Sequence, residues 1–250
     1  MISLNRLYHP FEVVTRNRFY WLCFLMLLFQ PGYSHAQQVR SLFEKLSDSF
    51  REKNFYTTIN LCREVITICE KTPEPECWYT NIMKEVYRFK GISEFEIYKQ
   101  ELKKKRLADA IQSLTVSYNL YKDPEVQFLN GYLSALKAIA DDDRTDLSGL
   151  ITAWNALLNL YAKNEWKISD DFIAKTKLFI RVSEKFSEPI PSKKYTGVFA
   201  KFIILMACDL AEKDNLPNSE QKYFEEIRSK YFHEDGIEWQ RWRSNQFNPK

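Results

Sequence analysis

From Val39 to Phe232 apolar residues recur three and four positions apart, in stretches of roughly 12 to 20 residues separated by short polar turns. Each such stretch must bury one stripe against a neighbour, so the pattern constrains the chain to pairs of packed helices. Only six glycines occur in 250 residues, which counts against sandwiches and barrels with many tight turns. The fold class expected is all-α, a stack of antiparallel helix pairs.

The first helix is predicted over Val39 to Arg51, with Leu42, Phe43, Leu46 and Phe50 on one stripe. The second runs from Phe55 to Lys71 and turns Ile59, Cys62, Val65, Ile66 and Cys69 inward. Thr72-Pro73-Glu74-Pro75 ends it, because proline disfavours helix in the residue before it. Trp78, Ile82, Val86, Tyr87 and Phe89 mark a third helix, predicted to stop at Lys90-Gly91 with glycine as its cap. Ser93 is predicted to cap a fourth, with Glu94 and Glu96 in its first turn. Lys103-Lys104-Lys105-Arg106 falls in its last turn, a charge order that complements the helix dipole. Further helices are predicted over 107–121, 125–140, 147–161, 170–186, 192–213 and 218–232.

The N-terminus has a different character. The run Phe19 to Phe29 is uncharged and apolar, preceded by Arg16 and Arg18 and followed by Pro31-Gly32 and Ser34-His35-Ala36. Basic flank, short apolar core and small-x-small site are the order of a secretory signal, with a mature chain expected to begin at Gln37. The alternative, an uncleaved anchor, is disfavoured by length, since a bilayer span takes about 20 residues. Export places the rest in an oxidising compartment, periplasmic or extracellular. Residues 1–36 are thus expected as signal peptide, 37–235 as the helical domain and 236–250 as a Trp- and Arg-containing tail.

Removing the signal changes the chemistry available. It takes with it Arg6, Arg16, Arg18 and Glu12, leaving 33 basic against 32 acidic residues. Nothing in that balance argues for nucleic acid. His9 and His35 leave as well, so His233 alone remains; multi-His metal sites are excluded and no cofactor is expected. No Gly-rich phosphate loop, His-Glu-x-x-His or Gly-x-Ser-x-Gly occurs. Cys62, Cys69, Cys77 and Cys208 form no Cys-x-x-Cys. Cys69 and Cys77 flank the Pro-rich turn and are the candidate disulfide, the alternative being buried thiols.

The stretch Asn54-Phe55-Tyr56-Thr57-Thr58-Ile59, continuing through Cys62 and Val65-Ile66 to Pro73, resembles the second half of a tetratricopeptide repeat. Leu107, Ala110-Ile111, Leu114 and Ser117, then Asp123-Pro124, Phe128 and Gly131, resemble the same half followed by the next first helix. Trp78 to Gly91 is similar to a first helix. The resemblance covers residues 42–161, with Thr58 where the family has a smaller residue and without the regular period of about 34 residues. It implies an α-solenoid, a right-handed superhelix whose concave face binds peptides or protein segments.

Tyr87, Tyr118, Tyr132 and Trp154 recur along the pairs and are the candidate peptide-binding face, since such rings combine contact area with a polar handle. Core packing is the other use of aromatics at this spacing, and Tyr121 and Tyr161 recur along the pairs with the same two readings. Asp141-Asp142-Asp143 with Asp146 lacks the glycine and spacing of a calcium loop and reads as an acidic turn capping helices. Lys103–Arg106 reads as a solvated helix end. Trp239-Gln240-Arg241-Trp242-Arg243 reads as a segment closing the last helix, rather than a nucleic-acid or membrane platform, and His233 as a solvated helix end. The expected function is that of an exported, non-catalytic binding or assembly module for a protein or peptide partner, without a stable membrane span after cleavage. The alternatives are a secreted hydrolase using Asp/Glu carboxylates and an exported effector or surface protein.

Overall fold

A computed structural model describes residues 33–71, 76–164, 168–188, 194–211 and 216–231. They form α1 (Tyr33–Arg51), α2 (Phe55–Lys71), α3 (Glu76–Glu101), α4 (Lys104–Leu120), α5 (Pro124–Ala140), α6 (Ser148–Lys163), α7 (Asp170–Ser187) and α8 (Lys194–Ala211), then α9 (218–231). No strand occurs among the described residues. From α1 to α8 each helix packs on the next, and α1 also reaches α3 as α5 reaches α7. The all-helical expectation therefore holds. The apolar run Phe19–Phe29, His233 and the Trp239–Arg243 tail lie outside the described residues, and α1 begins four residues before Gln37, the expected start of the mature chain.

Neighbouring helices run antiparallel. Across α3 and α4, Lys90 Nζ donates to Ser113 Oγ at 2.9 Å and Ser117 Oγ donates to the Lys84 carbonyl at 2.8 Å. Helices two apart run the same way. On α7 and α9, Lys177 pairs with Glu220 and Lys230 Nζ donates to Glu184 Oε1 at 2.7 Å, so both numbers rise together.

The apolar stripes gather into three local cores. Val39, Leu42, Leu46, Cys62, Val65, Met83 and Val86 join α1 to α3. Phe95, Leu107, Ala110, Leu114, Val126 and Leu133 join α3 to α5. Phe128, Leu157, Phe172, Phe179, Ile204 and Phe224 belong to the largest, from α5 to α9. Tyr132 and Leu136 border both of the last two.

One stretch departs from expectation. Gly91 and Ser93 neither end nor begin a helix; α3 continues through them, and residues Gly91 to Phe95 are all buried. A side chain at 91 would place its Cβ 2.7 Å from Leu114 Cγ and 3.1 Å from the Ala110 carbonyl oxygen. The glycine therefore serves close packing of α4 rather than a left-handed cap. The break comes at Leu102-Lys103, so Lys104–Arg106 opens α4 instead of closing a helix, against the dipole preference.

Turns at the C-terminal ends of α1, α3 and α5 share one device. Lys53, Leu102 and Asp142 have φ of 61°, 55° and 56°, the left-handed region, and none is glycine. The next N–H bonds back five residues at two of them, Asn54 to the Ser49 carbonyl (2.9 Å) and Asp143 to Ala138 (2.8 Å), while Leu102 itself bonds Tyr98 (2.7 Å). For a leucine this conformation costs about 1–2 kcal/mol. Before α5, Asp123 Oδ1 accepts the Glu125 N–H at 3.0 Å with Pro124 in the first turn, which starts that helix sharply.

The tightest contact joins α5 to α6. A Cβ on Gly131 would lie 2.4 Å from the Ala153 nitrogen, and one on Gly149 would lie 2.4 Å from the Ala135 nitrogen. Backbone meets backbone here, with no side chain able to yield. Alanine in a helix interior ordinarily stabilises by about 1 kcal/mol over glycine. We expect Gly131→Ala to do the opposite, lowering stability by about 3 kcal/mol in urea unfolding. Gly197→Ala, whose Cβ would sit 3.3 Å from the Ser187 carbonyl oxygen, is the control and should be close to neutral.

Candidate functional site

The residues richest in chemistry meet where α2 begins, α3 ends and α4 begins. Glu94 lies in the buried middle of α3, its side chain wholly out of solvent, and its Oε2 accepts from Arg106 Nη1 at 2.7 Å. Its Oε1 and the neighbouring Ser93 Oγ have no hydrogen-bond partner among the described residues. Arg106 is positioned by the α3–α4 break: two residues of turn bring the second helix back antiparallel, so its first turn meets α3 about two turns before the end.

A shell of partly exposed groups surrounds that pair. Tyr56, on the first turn of α2, donates to Glu101 Oε1, and the Arg106 guanidinium lies 5.8 Å from the Tyr56 ring centroid. Lys103 Nζ is 3.1 Å from Glu101 Oε2. Bonds from Tyr56 and then Lys103 hold the Glu101 carboxyl below its usual range, while the Tyr56 hydroxyl is raised chiefly by its bond to Glu101. Arg106 is held charged above its ordinary value, mainly by Glu94. Both carboxylates are thus engaged by cations. The arrangement is an interior ion pair under a tyrosine lid, which fixes the register of α3 on α4.

Behind it, Cys62 Sγ donates to the Val86 carbonyl at 3.4 Å, and burial pushes the thiol up to about 12. Such a thiol is protonated and poorly nucleophilic. Cys69 is also buried, while the side chain of Cys77 lies outside the described residues, as does the proposed pairing.

The four aromatic candidates fall on four successive helices and are all half-buried. Tyr87 packs on the first core and Tyr118 on the second. Tyr132 stacks on Phe128 with centroids 6.3 Å apart, and Trp154 tilts against Phe179 at 5.8 Å. Burial raises the Tyr132 hydroxyl. Lys122 Nζ sits 4.3 Å above the Tyr118 ring. Each ring thus has a packing role.

The acidic turn after α5 is tied to its surroundings. Asp141 accepts from Lys137 at 2.7 Å and from Lys104 at 2.9 Å, Asp143 accepts from the Thr145 hydroxyl at 2.7 Å, and Asp146 accepts the Ser148 N–H at 2.9 Å. Asp146 thus serves the start of α6, as the sequence suggests. The two lysines, Lys137 first, bring Asp141 from its ordinary 3.8 down to about 2.

The sequence reading missed Glu94, Arg106 and Tyr56 as a group. The available signal was a glutamate set among Ile92, Phe95 and Ile97, twelve residues before an arginine beyond the break. No family model, no curated protein and no solved structure matches the chain. No helix among the described residues is long and apolar enough to cross a membrane.

Arg106→Met should destabilise by about 3–5 kcal/mol, because it strands a buried carboxylate. Adding Glu94→Leu should restore most of that loss, and urea midpoints of the single and double variants measure it. Asp141, depressed from 3.8 to about 2, contributes stability that is fully present above its unfolded value and lost as pH falls from about 4 to about 2. Asp141→Asn should flatten the acid limb of the unfolding midpoint in that window and leave neutral pH less affected by salt.

Proposed function

We propose that the chain is an exported, non-catalytic module that binds a protein or peptide segment, built on stacked helix pairs in the manner of tetratricopeptide repeats. The signal-like N-terminus supports export to the periplasm or beyond. The observation that carries the binding reading is where apolar surface remains uncovered. Tyr121, Ile151, Leu158, Val198 and Phe199 are exposed on the even-numbered helices or the end of one, while Tyr56 and Leu102 are exposed at the end of the stack where α3 turns into α4. The face of α6 is also nearly uncharged: Lys163 is the single charged residue of Ser148–Lys163, and Asn155 and Asn159 flank Leu158 in solvent.

Apolar side chains spaced by amides suit an extended or helical protein segment better than a small polar substrate. Tyr118 and Trp154, half-buried on the same set of helices, extend that surface; Tyr87 and Tyr132 belong to the other set. A photo-crosslinking residue at Leu158 or Phe199, introduced in the native host, should give a discrete protein adduct with a chain that starts at Gln37. The same probe at the exposed Lys222 serves as the background. Equal adducts at all three positions, or a chain retaining Met1, would reject the reading.

A further inference from the structure

We propose that the end of the stack formed by the α3–α4 and α5–α6 turns is a self-association surface, occupied by a second copy of this chain about a two-fold axis. This goes beyond the partner-binding reading and does not depend on it.

Leu102 is the starting point. It is 71% exposed, the most exposed of the large apolar residues described, and it sits in the left-handed conformation that glycine or asparagine would adopt freely. An apolar side chain in water on a backbone it disfavours gives the monomer no benefit. Tyr56, 50% exposed, lies on the same end of the stack, held there through Glu101 and Arg106.

Charge around this apolar point is divided. Lys103 and Lys104 project with 70% and 63% of their side chains exposed, above carboxylates, Glu101 and Asp141, at 20% and 33%. Lys105 is exposed beside them. The edge next to Leu102 is therefore basic outward. The adjoining turn is acidic outward: Asp142 is 92% exposed and Asp143 is exposed, and the turn's own cation, Arg144, 3.9 Å from Asp142 Oδ1, is only 25% exposed. The 2.9 Å contact of Lys104 Nζ with Asp141 Oδ1 sets the two turns side by side.

A uniformly anionic surface would meet Asp142 and Asp143, and a uniformly cationic one would meet the lysines. A second copy satisfies both. Rotation by 180° about an axis between the two turns lays each basic edge on the other's acidic edge, and each Leu102 beneath the other's α5–α6 turn. Such an isologous contact repeats every favourable pair twice. Two turns per copy is a small interface, so the association is weak and sensitive to salt.

Sedimentation equilibrium on the full chain tests this. We expect dimers with a dissociation constant on the order of 100 µM at low salt, weakened about tenfold or more at about 0.5 M salt. Leu102→Gly should weaken association about tenfold while leaving the thermal midpoint equal or higher, since glycine suits the turn. Lys103→Glu with Lys105→Glu should be monomeric, as should Asp142→Lys with Asp143→Lys; lysine already occupies the equivalent left-handed position at residue 53. An equimolar mixture of the two charge variants should dimerise again. A chain monomeric up to on the order of 1 mM overturns the proposal. So does a dimer indifferent to Leu102→Gly, or folded charge variants whose mixture stays monomeric, an outcome that would leave any partner-binding role of the even-numbered helices untouched.

Discussion

Backbone contact between α5 and α6 sets the spacing on which the larger half of the molecule depends. Gly131 and Gly149 each omit the side chain that would hold the helices apart. With the axes drawn together, α5 presents Val126 and Leu133 to one core and Phe128, Ala135 and Ala138 to the next. A wider crossing would pull one set away from its neighbours, because close-packed interiors have few spare voids to absorb the shift. The crossing fixes α5 against α6, and α5 carries that alignment across to α3 and α4.

Much of this architecture is legible in the sequence. The spacing of Leu42, Leu46, Ile59, Cys62 and Val65 identifies α1 and α2 because both are amphipathic, with one buried stripe. Pro124 behind Asp123 identifies the start of α5 for the same kind of local reason. The reading fails in α3, where Gly91 to Phe95 are buried on every side. Amphipathic periodicity vanishes in a helix enclosed by neighbours, and a glycine needed for close approach looks the same as a glycine needed for a left-handed cap. A helix end at Gly91 would leave Ser93-Glu94 as the cap and first turn of the next helix. The true break at Leu102 has no glycine, proline or asparagine to announce it.

The residues that mislead at the level of local propensity are those with roles across helices. Glu94 looks like a first-turn acid and is an interior anion; Arg106 looks like a last-turn cation and is its partner. An ion pair in this position is worth little to stability relative to well-packed apolar residues. Its geometry, however, admits one register of α4 on α3, because a slip by one residue would bury Glu94 without its cation. Sequence spacing alone could not pair them, since a turn of unknown length lay between.

The three cores are joined in series, each drawing on helices close to one another in the chain. A molecule assembled this way lacks a single keystone that releases everything at once. Drawn apart by its two ends, it is expected to yield one helix pair after another, starting with the smaller cores toward the N-terminus and leaving the α5–α9 block until last. Its extension under load would then be graded, and most of the chain would remain folded while one end gave way.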